Sequence, residues 1–163
     1  MAPLFRAIAA ILAVGLLSPL LAHSASGMDN QKIVAKLNKQ FDRPDAPLLV
    51  SPVTVQGNYA IAGWIQGNKG GRVLLQKEDG QWRILVCGGD GLTQENVLET
   101  TGMPFVVAKK LAVAVRVAES KLSMDKRRQF DSFENMVRID AGSESQGQHH
   151  LHDSNGAHAA PGK

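Results

Sequence analysis

Four histidines crowd the C-terminal end of the chain, at His149, His150, His152 and His158. The fifth, His23, falls in the expected N-terminal leader. Imidazole ligates transition metals when neutral and titrates near neutrality, so this clustering points to metal capture or a pH-sensitive tether. Ser154, Asn155, Gly156 and Ala157 separate His158 from the rest, as expected of a disordered segment that can fold back on an ion. Asp153 and deprotonated backbone nitrogens would complete a ligand set with the imidazoles. Such a site suits Cu(II), Ni(II) and Zn(II), and affinity at an unselective N/O site peaks at copper. The plain alternative is a solvated terminus that binds nothing. Keeping histidine out of the central part also removes its commonest general base, so the chain is read as non-enzymatic.

Cys87 is the second candidate ligand. It closes a strand-like run, and Gly88-Gly89-Asp90-Gly91 and a helix start follow it. At a helix N-terminus, with Arg72 opposite it in the expected hairpin register, its thiolate would be favoured and could ligate Cu(I). The alternative is a small, partly buried filler residue. A nucleophilic role needs a fixed histidine beside the thiol, and none is in reach. As the sole cysteine it forms no intramolecular disulfide. The glycine run lacks the third glycine of G-x-G-x-x-G and any G-K-[ST], so it is read as a tight turn with positive φ and Asp90 as a turn residue. Met28, Met103, Met124 and Met136 form no ligand stripe.

The N-terminal end predicts the compartment. Met1 to Arg6 is a short basic region, Ala7 to Ala22 is apolar with a break at Ser18-Pro19, and small residues precede Ala25 and Gly27. This is the pattern of a cleavable secretory signal, and it places the mature chain in the periplasm. The expected organisation is a signal peptide over 1–24, a single α+β domain over 25–141 and a disordered histidine-containing tail over 142–163. No span is expected after cleavage, because Lys109, Lys110 and Arg116 interrupt the one apolar helix candidate. Net charge is +3 with a pI near 9.2, and the basic residues are scattered among acids. Only Lys126-Arg127-Arg128 is clustered, and it reads as a solvated helix face rather than a nucleic-acid surface.

The elements that must position these residues follow from periodicity and turn chemistry. Asp29 is a candidate N-cap for a helix carrying Ile33, Val34, Leu37 and Phe41 on one side, which Arg43-Pro44 ends. Leu48 to Val55 reads as an edge strand because of Pro47 and Pro52, with further strands at Tyr59 to Gln66, Arg72 to Glu78 and Gln81 to Cys87. A longer loop is expected over Gly67 to Gly71, bringing Trp64 near Val73. Asp79-Gly80 calls for a two-residue type I′ hairpin in which Glu78 pairs with Gln81. Val73, Leu75, Trp82, Ile84 and Val86 then share a core face, while Cys87 falls on the other. Thr93 is expected to cap a short helix to Glu99, and a second helix runs from about Pro104 to Leu122. Val107, Leu111, Ala114, Ala118 and Leu122 lie along one side of it. Ser123 caps a last helix whose buried stripe is Phe130, Phe133 and Val137. The whole predicts an α+β domain: an antiparallel meander of three to four strands with an N-terminal helix and C-terminal helices covering one face.

Trp64-Ile65-Gln66-Gly67, Gly70-Gly71-Arg72-Val73-Leu74-Leu75, Trp82 to Leu92 with its W-x4-C-G-G-D-G pattern, and Phe130-Asp131-Ser132-Phe133-Glu134 resemble the proteobacterial copper uptake system-associated protein family. The resemblance covers most of residues 29 to 140. It implies a small periplasmic accessory of copper acquisition, with copper ions and a copper transport or assembly protein as partners. No ligand or catalytic residue carries over with it, so Cys87 and the tail histidines rest on their own chemistry. The paired His/Met motif of periplasmic copper chaperones is absent. Copper is expected as a bound ion that folding does not require. The competing expectation is a periplasmic protein-interaction module whose tail is incidental.

Overall fold

The computed structural model describes residues 21–139, with side chains from Gly27 onward. Helix α1 (Leu21–Phe41) leads into a meander of β1 (Leu48–Gln56), β2 (Tyr59–Gln66), β3 (Lys69–Glu78) and β4 (Gln81–Gly88). A 3₁₀ turn (Asp90–Thr93), α2 (Glu95–Glu99), α3 (Phe105–Glu119) and α4 (Met124–Asp131) follow. The short β5 (Val137–Arg138) then returns to the outer edge of β4, giving an open antiparallel sheet in the order β1-β2-β3-β4-β5. The fold is therefore α+β, as expected, with five strands.

Local chemistry explains the meander. Asp79 and Gly80 both have positive φ, 50° and 76°, and Glu78 pairs with Gln81, the geometry of a type I′ turn. Gly67 likewise turns at φ 60°, so the turn is only Gly67-Asn68 and the expected long loop is absent. Gly70 and Gly71 belong to β3 because neighbours press on them. A β-carbon on Gly70 would lie 2.8 Å from the Gln129 carbonyl oxygen, and one on Gly71 2.9 Å from the Trp64 ring. At β1 the register shifts between Val50 and Val53, around Pro52, and the strand lies at the sheet edge as its prolines predict.

Helices cover both faces of the sheet rather than one. Ile33 and Leu37 of α1 pack with Leu48, Ala62, Val73, Leu75, Trp82 and Ile84 on one side. On the other, Leu98 of α2 and Ala108, Leu111, Ala112 and Val115 of α3 pack with Ile61, Leu74 and Val86. The second face demands this cover because its strand residues are as apolar as those of the first. A bulge divides them: Leu75 pairs with Ile84, but Leu74 then pairs with Val86 and Val73 with Cys87. Val86 and Cys87 thus occupy faces opposite to those expected, since an extra residue in a strand reverses the alternation beyond it.

Helix ends also depart from expectation. Asp29 lies inside α1 and caps nothing. Thr93 belongs to the 3₁₀ turn, its hydroxyl donating to the Asp90 carbonyl oxygen at 2.9 Å, and Gln94 precedes α2 instead. The buried line of α3 is Ala108, Leu111, Ala112, Val115 and Glu119, rotated from the expected stripe, which shares only Leu111 with it. Ser123 does cap α4, accepting from the Lys126 amide at 3.4 Å. Because α4 stops at Asp131, Phe130 alone of its expected stripe is in the helix and fully buried, and Val137 is an exposed strand residue. No helix among the described residues is long and apolar enough to cross a membrane.

Candidate functional site

The four tail histidines and Asp153 lie outside the described residues, as does most of the predicted signal segment. Cys87 is the one metal candidate that the structure places. It faces α1, opposite Val73, beside an apolar cavity of about 250 Å³ whose lining includes Phe41, Trp64, Val73, Phe133 and Val137. Burial pushes its thiol up to about 11, so at neutral pH the sulfur stays protonated. This burial goes with Cys87 as a partly buried packing residue rather than as a free thiolate. Its proposed cationic neighbour, Arg72, pairs with Gly88 instead and turns its guanidinium to the opposite face. Among the described residues no group of three or more His, Cys, Asp and Glu side chains could hold a metal ion.

None of Gly88, Gly89 and Gly91 has positive φ, and Gly88 and Gly89 instead serve close approach. Gly89 has φ −102°, and a β-carbon there would run into the Phe133 carbonyl oxygen where the chain passes the end of the sheet. The Asp90 carboxylate accepts from Gln94 Nε2 at 2.8 Å and from the Thr93 hydroxyl at 3.3 Å. It is a turn residue, as its sequence context predicts.

Sequence reasoning missed a buried ionic clamp. Arg72, 2% exposed, donates from Nε and NH2 to the two carboxylate oxygens of Glu119 at 2.8 and 2.7 Å, and from NH1 to Asp131 at 2.9 Å. Its guanidinium carbon stands 5.5 Å from the Phe130 ring centre. Burial alone would lower the arginine's pKa, but the two carboxylates outweigh it and raise it. The signal was present: Glu119 continues the four-residue step Leu111, Val115 along the buried line of α3. A carboxylate there requires a buried cation.

A second polar junction joins α1 to the β3–β4 hairpin. Asp29 accepts from Lys77 Nζ at 2.6 Å and from Trp82 Nε1 at 3.2 Å. Burial pushes its pKa upward, but these hydrogen bonds and the charges of Lys77 and Lys32 prevail and lower it. Beyond this junction an open cleft of about 910 Å³ runs between α1 and the outer edge of β4, carrying Lys32, Lys36, Lys39, Arg83 and Arg138 against the single acid Glu78.

Comparison with known proteins found no similarity: no family model, curated protein or solved structure matches this chain.

Proposed function

We propose that this chain is a non-enzymatic accessory protein of copper handling in the periplasm, taking Cu(II) on His149, His150, His152 and His158. The observation that carries the reading is the concentration of imidazoles in one short segment. Three of them lie within four positions, close enough for a single ion to recruit them together, and Asp153 is adjacent. The motif resemblance read from residues 29 to 140, which no family model matches, points to the same metal. Cys87 contributes less to this reading than its position after a strand suggested, because it sits partly buried against an apolar cavity and, among the described residues, no group of three metal-ligating side chains includes it. The folded domain then acts as the carrier that brings the tail to a transport or assembly partner.

Calorimetric titration of the exported chain with Cu(II) tests this directly. Replacing the four histidines with asparagine should remove most of the heat of binding, whereas Cys87→Ala should leave it intact. Retained Cu(II) affinity in the four-histidine variant overturns the reading.

A further inference from the structure

Among the described residues the outer edge of β4 is paired along only half of its length. β5 pairs with Val86 and Cys87 only, and the Ile139 amide donates to the Leu85 carbonyl oxygen at 2.9 Å. From Gln81 to Ile84 no strand lies beside β4 among the described residues. In a two-residue hairpin, Glu78 and Gln81 form the hydrogen-bonded pair next to the turn, and the pattern alternates from there. The backbone groups of Trp82 and Ile84 therefore point away from β3, toward the cleft. The opposite edge is protected by Pro52 and a register shift in β1, but Gln81 to Ile84 contains neither proline nor bulge. β5 itself shows that this edge accepts a strand.

The surroundings select what can come. Lys32, Lys36 and Lys39 recur along one side of α1, over the cleft, with Arg83 and Arg138 at its other walls. Glu78 is the one acid there, and it is already engaged with Arg83 at 3.2 Å. Arg138 donates to the Thr100 carbonyl oxygen at 3.3 Å and keeps its charge, so it adds to the field of the three lysines. A cleft of one sign beside unpaired backbone groups suits an extended chain of the opposite sign.

We propose that the edge of β4 from Gln81 to Ile84, unpaired among the described residues, is a docking site for an acidic, extended peptide segment of a partner protein, which adds to the sheet as a strand beneath the lysines of α1. Backbone hydrogen bonds to Trp82 and Ile84 supply the register, and Lys36 and Lys39 select for carboxylates. The site requires no metal.

The test uses the full exported chain and an eight-residue peptide alternating glutamate and valine, followed by amide chemical shifts. Shifts are expected at Gln81 to Ile84 and on α1 at Lys36 and Lys39. The peptide methylated on alternate backbone nitrogens should fail to bind, because strand addition needs those donors. Lys36→Glu with Lys39→Glu should weaken binding roughly tenfold or more, and added salt should weaken it as well. Equal binding of the methylated peptide, equal binding of a lysine-valine peptide, or shifts confined to another face each overturn the proposal. So does strong hydrogen-exchange protection of the Trp82 and Ile84 amides before any peptide is added, since the chain itself would then occupy the edge.

Discussion

Arg72 is the residue at which charge and burial meet most sharply. A guanidinium taken out of water is tolerated only because Glu119 neutralises it with two hydrogen bonds and Asp131 takes a third. Glu119→Ala should therefore cost about 3 to 5 kcal/mol in urea unfolding, far more than an exposed truncation, because it leaves most of that charge uncompensated. Asp131 is about half exposed, so Asp131→Ala should cost much less. A double variant, Arg72→Met with Glu119→Leu, should recover most of the loss. Failure to recover it would mean that the pair does more than satisfy itself. At Cys87 the argument is about packing: Cys87→Ser places a hydroxyl beside an apolar cavity and should lower stability by about 1 to 3 kcal/mol without changing Cu(II) binding. A drop in Cu(II) affinity with unchanged melting would instead make the sulfur a ligand.

At the scale of elements, α1 and the β3–β4 hairpin are locked together by Trp82, 4% exposed, whose ring lies 4.9 Å from Lys77 Nζ and whose indole nitrogen donates to Asp29. Trp82→Ala should cost about 3 to 5 kcal/mol, and Arg83→Ala, one residue on and facing solvent, about 0.5 or less. Equal losses would contradict the face assignment. Asp29 gives the junction an acid dependence. Its folded-state pKa is lowered, so its contribution is complete above the unfolded pKa and is lost as pH falls through the folded one. The stability difference between wild type and Asp29→Asn should accordingly shrink between about pH 5 and pH 2. These junctions also show what was legible in the sequence. Alternation and the Asp79-Gly80 turn predict the strands and the register as far as Leu75 and Ile84. Beyond that pair the bulge at Leu85 was hidden, because Leu85, Val86 and Cys87 can all be buried and no local pattern says which face each takes. Asp29 reads as a cap because capping is its commonest role, whereas its actual partners are 48 and 53 residues away. Glu119 was overlooked for the same reason: its cation lies on a strand 47 residues earlier. As for the candidate site, its histidines could be named from composition alone, while the basic edge depends on how α1 crosses the sheet, which periodicity does not contain.

At the scale of the whole molecule, the copper reading separates where the ion binds from where the stability resides. The core is built on two faces of one sheet, and a buried ionic clamp of Arg72 with Glu119 lies beside it. A ligand stabilises a fold only to the extent that it binds the folded state better than the unfolded one. If His149, His150, His152 and His158 chelate Cu(II) without help from the domain, the ion binds both states alike, and its addition should leave the melting temperature unchanged. Protonation of the imidazoles should release it through roughly pH 6.5 to 5. Deleting residues 148–158 should abolish most Cu(II) binding at pH 7 to 8 while the melting temperature again stays where it was. Thermal unfolding followed by circular dichroism, with and without one equivalent of Cu(II), checks both expectations on the same samples. A rise in melting temperature with copper that the deletion removes would show that the domain supplies a ligand of its own, whereas undiminished binding after the deletion would move the site off the tail altogether.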